Sequence, residues 1–196
     1  MFENYPKING IIKLRNLGLP TPKTLIINDY ELQKQEINNF LMMRKFVMIR
    51  SEKEGQSTHC PSMIQCPINQ AGSFIKELNT NGYAAIVQDY IPLNNIYSGN
   101  ILVLNDSFII EVMKGGPVSK LNREGKVDEH LRISKAGDTI THFGSNVIPI
   151  NDVKKIISKV KDLPLKNHII EFSSGPDWFY FWHAREDKTS AKLEPI

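Results

Sequence analysis

The chain is 196 residues long, 41% hydrophobic and 23% charged, with a formal net charge of +3, the proportions of an ordinary globular protein of one domain or two small lobes. So mild a charge, with no Lys/Arg block interleaved with aromatics, argues against nucleic acid as a partner, and no apolar run approaches the ~20 residues that cross a bilayer. Two cysteines, Cys60 and Cys66, fit neither a zinc pattern nor a disulfide framework, and the N-terminus lacks a basic region followed by an apolar core, so the expectation is a soluble, cytoplasmic protein with reduced thiols.

Ile8, Ile11, Ile12 and Arg15 fit the turns of a first helix that Gly18 and Pro20 stop. "TLIIN" (24–28) reads as a strand. Asn28 followed by Glu31 has the form of a capping box, and Leu32, Ile37, Phe40 and Leu41 give the next helix an apolar stripe. "KFVMIRS" (45–51) is a second strand, followed by a polar segment, "EKEGQSTHCPS". Ala71, Phe74, Ile75 and Leu78 stand at i, i+3, i+4 and i+7, a helix with one buried face.

From Tyr83 the texture changes. "YAAIVQDYI", "GNILVLN", "SFIIEVM", "HLRIS" and "TITHF" are short β-rich runs separated by Asn, Asp and Gly, as in an antiparallel sheet. Val153, Ile156, Ile157 and Val160 make one more amphipathic helix. The polar tail "DKTSAKLEPI" reads as frayed. The boundary between lobes is expected at 85/86, with residues 1–85 and 86–196 as the two domains.

The last hairpin, "HIIEFSSGPDWFYFWHARE", carries a carboxylate, an imidazole and a guanidinium within two apolar runs. A turn centred on Asp177 sets Glu171 opposite His183, with Arg185 two residues further along the same face. A slip of one residue would destroy that arrangement. In the favourable register Ile170, Phe172, Trp178, Tyr180 and Trp182 face the core.

Five segments in order resemble the ATP-grasp nucleotide-binding domain of pyruvate phosphate dikinase and phosphoenolpyruvate synthase. These are Lys7 with its helix and the "GLPTP" turn, "VMIRSE", "IVQDYIP", "FIIEVMKGG", and the pair "IIEF" and "FWHAR". The resemblance implies an α+β, two-lobed ATP-grasp fold: a small α/β N-terminal lobe, and an antiparallel-sheet C-terminal lobe with packed helices. It implies ATP as ligand, with Lys7 and Arg50 on phosphate oxygens. Arg suits that task because its planar fork donates two parallel hydrogen bonds. It further implies that the Gln88 carbonyl and Ile91 amide read adenine, that Asp89 or Tyr90 reaches the ribose, and that Glu111 binds ribose or metal. Glu171 and His183 would hold a divalent ion, Mg²⁺ or Mn²⁺, while Arg185 balances charge on the transferring group.

The sequence departs from the pattern at four places. Ile169 replaces an aspartate, His183 a glutamine, and Glu52 the second serine of the Arg-Ser-Ser strand; the glycine-rich phosphate loop is reduced to Gly55. Imidazole, a softer ligand than an amide oxygen, favours Mn²⁺ or Zn²⁺ over Mg²⁺. The expected activity is an ATP-dependent phosphotransferase, with Lys7, Arg50 and Arg185 as its catalytic cations, serving a separate carrier protein or a small-molecule acceptor and engaging no membrane. The alternatives are a catalytically weakened nucleotide-binding or regulatory protein, and an ATP-grasp ligase that activates a carboxylate.

Overall fold

The structure is a computed structural model that describes residues 4–56, 59–92, 94 and 96–187. The chain divides into two compact units, Met1–Ile12 with Thr21–Pro92 and Lys13–Pro20 with Leu93–Ile196. Helix α1 (Pro6–Asn16) is shared, its first turns in one unit and its last in the other.

In the first unit, β1 (Thr24–Ile27), β2 (Phe46–Glu52), β3 (Ser62–Pro67) and β4 (Ala84–Asp89) form a sheet in the order β1-β4-β2-β3, antiparallel at every pairing. Helices α2 (Lys34–Leu41) and α3 (Ile68–Thr80) cover one face, burying Ile37, Leu41, Ala71, Ile75 and Leu78 against Ala85, Val87 and Ile49. The start of α1 covers the other face, where Ile8 and Ile11 meet Ala84 and Ile86. Central β4 is thereby buried on both sides, which is why it reads as an apolar run without alternation.

The capping box expected at Asn28 is absent. Asp29 Oδ1 instead accepts from the amides of Glu31 and Leu32 at 3.0 Å each, a turn that delays α2 to Lys34. Leu32 therefore lies outside the helix and is 85% exposed, not part of its buried stripe. Strand β3 emerges from the end of the polar segment; its mostly exposed edge position leaves it little apolar signal. Ser57 and Thr58 of that segment fall outside the described residues.

In the second unit, β5 (Tyr97–Val103), β6 (Ser107–Lys114), β7 (Glu129–Ser134), β8 (Thr139–Gly144), β9 (His168–Ser174) and β10 (Phe179–Glu186) form one antiparallel sheet, ordered β10-β9-β5-β6-β7-β8. Helix α5 (Ile150–Val160) lays Val153, Ile156, Ile157 and Val160 on one face, against Ile101, Phe108, Ile110, Phe172 and Phe181. Gly99 is required there. A Cβ at that position would lie 2.3 Å from the Glu111 carbonyl oxygen and 2.6 Å from the Phe172 ring. A short helix, α4 (Val118–Glu124), contacts β5, β6 and β9 and ends at Gly125, whose φ of +63° supplies the left-handed C-cap. Of the tail, Asp187 is buried and its amide donates to the Asn167 carbonyl, 2.7 Å away, so fraying does not begin there; residues 188–196 fall outside the described residues. No helix among the described residues is long and apolar enough to cross a membrane.

Candidate functional site

The closing hairpin fixes the site in the second unit. Its turn is tighter than one centred on Asp177: Gly175 to Trp178 form the loop, and Phe179 pairs with Ser174. Continued regularly, that register would set Trp182 opposite Glu171 and turn His183 into the core. A β-bulge between Phe181 and His183 inserts one residue, Trp182, and restores the pairing of His183 with Glu171. The aromatic assignment changes accordingly. On β10 it is Phe181 and Ala184 that are buried in the core, with Phe179 packed against it; Trp178, Tyr180 and Trp182 are only half-buried. Trp178 stacks on Tyr180 with ring centroids 5.9 Å apart.

Strand pairing then aligns a row of polar side chains across the sheet. His183 is opposite Glu171, Glu171 opposite Asn100, Asn100 opposite Glu111, and Glu111 opposite His130. Direct antiparallel partners share a face, with Cβ atoms about 5 Å apart. Three of the five were candidates from sequence; Asn100 and His130 were not, and neither was Asn122 on α4. Asn122 Nδ2 donates to Glu171 Oε1 at 2.9 Å, and Asn122 Oδ1 accepts from Asn100 Nδ2 at 2.8 Å. Ser98 Oγ donates to the Gly116 carbonyl at 2.7 Å and meets Ser173 Oγ at 2.8 Å, tying the loop before α4 to the same face.

The next row along the strands is apolar: Ile169 opposite Leu102, and Leu102 opposite Ile109. Arg185 pairs with Ile169 at its end. Between the two rows and α4 lies a cavity of about 470 Å³, lined among others by Asn100, Glu111, Asn122, His130, Arg185 and Asp187.

In the first unit the structure brings Lys7, Arg50 and the Gln88 side chain together on the face that α1 covers. Glu52, which departs from the serine of the resembled pattern, is fully buried and caps α1 from a distant strand. Its two carboxylate oxygens accept from the amides of Lys7 and Ile8, each at 2.8 Å. Pro6 at the first helical position has no N–H to satisfy, so Glu52 takes the next two orphan donors. Lys7 Nζ donates to the Ser51 carbonyl at 3.1 Å, and Arg50 Nη2 to Gln88 Oε1 at 2.7 Å. Gln88 Nε2 donates onward to Thr24 Oγ1 at 3.0 Å, which accounts for a buried amide in a central strand. Asp89 is held by Arg44 Nε at 2.7 Å, and its own amide donates to the Lys23 carbonyl at 3.0 Å. Tyr90 meets Phe46 edge-on, ring centroids 5.9 Å apart, and both border with Ile91 a shallow hollow in the surface.

No protein-family model matches this sequence, and no curated protein matches it. Among solved structures, a D-alanyl-alanine synthetase A from Vibrio cholerae is similar over 94% of this chain and 55% of its own, at 9% identity and a TM-score of 0.60. A RimK domain ATP-grasp protein from Sphaerobacter thermophilus is similar over 96% and 61%, at 13% identity and 0.52. The macrocyclase MdnC from Microcystis aeruginosa, bound with the precursor peptide MdnA, is similar over 96% and 55%, at 16% identity and 0.50. The chain spans little more than half the length of these proteins. They establish its fold: two antiparallel sheets with packed helices, in the ATP-grasp arrangement. The narrower likeness to the dikinase domain gains no support from them.

Proposed function

We propose that the chain is an ATP-dependent ligase module, which activates a carboxylate as an acyl phosphate and joins it to an amine. The observation that carries this reading is the row Glu171–Asn100–Glu111, with His183 beside it and Arg185 next to it, on an ATP-grasp fold. Ligation is favoured over phosphotransfer to a carrier protein because the structural neighbours are a synthetase, a RimK-type protein and a macrocyclase.

The donor set, a carboxylate with an imidazole beside it, suits a divalent ion, Mg²⁺ through Glu171 and the phosphates or Mn²⁺ where His183 also binds. No group of three or more His, Cys, Asp or Glu side chains among the described residues gathers into a closed metal cage. Mg²⁺ does not need one, because it is held by one or two carboxylates with substrate phosphates completing the shell. Glu171 would hold the ion together with His183, and the ion would supply positive charge against the phosphates of ATP. Asn122 orients Glu171 through the hydrogen bond to Oε1. In the first unit, Lys7 and Arg50 bind phosphate oxygens, and the main chain from Gln88 to Ile91 offers groups for adenine, with Asp89 and Tyr90 beside the ribose. Arg185 holds negative charge as it builds on the transferred phosphoryl group, and Glu111 faces the same cavity.

A product assay tests the reading. The protein is incubated with ATP, Mg²⁺, a panel of carboxylic acids and hydroxylamine. The ligase reading expects ADP, phosphate and a hydroxamate in equal amounts. Release of AMP, or a phosphorylated carrier, would instead restore the dikinase-like reaction.

A further inference from the structure

We infer that a second cavity of this unit, between α5 and the closing turn, binds a singly charged carboxylate carried on an apolar or aromatic body. It holds about 470 Å³, and the residues that line it all belong to the second unit. It lies away from the polar row. Tyr97, Ser174 and Phe179 pair side by side at the end of the sheet, and Tyr97 and Phe179 belong to the core on the face that α5 covers. Asn100, three residues on from Tyr97 along the same strand, belongs to the opposite face.

Part of the lining suits an apolar body. The half-buried Phe179 and Trp178 contribute rings, with Tyr97 and Ile156 beside them. The indole of Trp178 is held in place before any ligand arrives. It stacks on Tyr180 and lies over Gly175, where a Cβ would fall 2.1 Å from Nε1 and displace it. A ring fixed in this way gives up little freedom on binding.

The charges in the lining select the head group. Asp152, Lys155 and Lys159 follow one another along one side of α5, at i, i+3 and i+7. Asp152 is already satisfied: its Oδ2 accepts from the Tyr97 hydroxyl at 3.0 Å and its Oδ1 from Lys155 Nζ at 3.2 Å. Lys159 has no carboxylate partner among the described residues, and the Trp178 indole N–H has no acceptor among them. A carboxylate supplies acceptors for both. Asp177, exposed in the turn, opposes further negative charge, so a single carboxylate fits and a phosphate dianion does not. An alkylammonium ion would meet Lys155 and Lys159.

This site does not rest on the ligase reading, and its test needs no ATP. The full chain is titrated separately with 3-phenylpropionate, 3-phenylpropan-1-ol, 3-phenylpropylamine and acetate, followed by the emission of its two tryptophans and by Tm. 3-Phenylpropionate is expected to change the emission, to raise Tm with concentration, and to bind about tenfold more tightly than the other three. Lys159→Gln, at an exposed position, should keep the fold and bring the carboxylate level with the alcohol. Trp178→Phe should weaken binding and remove the emission change, while Glu111→Gln, on the other face of the sheet, should leave binding as in wild type. Wild type that binds the alcohol or the amine as well as the carboxylate would overturn the proposal. So would full-strength carboxylate binding by folded Lys159→Gln, or its loss in Glu111→Gln.

Discussion

Removing the Glu52 carboxylate should unravel the start of α1 and displace Lys7. In Glu52→Ala the amides of Lys7 and Ile8 lose both acceptors, each at 2.8 Å, and the Ile8 amide lies in a buried position. A hydrogen bond to a charged group contributes about 1.5–3 kcal/mol, and an orphaned buried donor costs about 1–3 kcal/mol. Because both bonds end on one carboxylate their losses overlap, and a total of about 3–4 kcal/mol is expected. Glu52→Gln keeps one acceptor and turns an NH₂ group towards the other amide, for a loss of roughly half as much. Urea unfolding reads the difference: with a slope of about 2 kcal/mol/M, the midpoint of Glu52→Ala should fall by about 1.5–2 M with the slope unchanged. A loss below about 1 kcal/mol for the alanine variant would refute the cap, and with it the claim that Glu52 rather than the local sequence fixes where Lys7 sits.

Gly99→Ala should cost at least about 3 kcal/mol in the same urea experiment, because its Cβ would stand 2.3 Å from a main-chain oxygen that cannot swing aside; a neutral result would contradict the packing of Phe172 on β5. Native-state labelling with a maleimide should modify the half-exposed Cys60 and spare Cys66, whose thiol burial pushes above its ordinary pKa, until denaturant is added; equal rates would refute this. Burial holds the Tyr97 hydroxyl, which donates to Asp152 Oδ2 at 3.0 Å, neutral up to about 12. Since the unfolded chain ionises near 10, stability from this residue is complete below about pH 10 and is lost as pH rises towards 12. Tyr97→Phe should flatten that alkaline decline in a Tm-against-pH series, and an unchanged profile would count against the assignment.

What could be read from sequence was what depends on local spacing. The stripes Ala71–Phe74–Ile75–Leu78 and Val153–Ile156–Ile157–Val160 become α3 and α5, because a 3.6-residue period needs no knowledge of the partner. The opposition of Glu171 and His183 was also legible, though the chain reaches it by another route. The tighter loop and the bulge at Trp182 each shift the register by one residue, and the two shifts cancel at His183 but not at Tyr180. The polar row beyond Glu171 was not legible, since its members come from strands whose order β9-β5-β6-β7 is set by non-local pairing. Only Glu111 breaks an apolar run, in "IIEVM"; Asn100 precedes the run "ILVL", and His130 follows Asp128 and Glu129, so neither stands out. Helix α4 escaped notice because its seven residues, between Gly116 and Gly125, are too few to show a period.

On the proposed function, this ATP-grasp fold binds ATP with a metal held at Glu171. Calorimetric titration of ATP with and without Mg²⁺ tests it most directly, on wild type and on Glu171→Ala. Wild type should bind ATP more tightly with Mg²⁺ present, and Glu171→Ala should lose that enhancement while unfolding at an unchanged urea midpoint. Absence of ATP binding by the folded wild-type chain, or a Mg²⁺ effect of equal size in Glu171→Ala, would contradict the account.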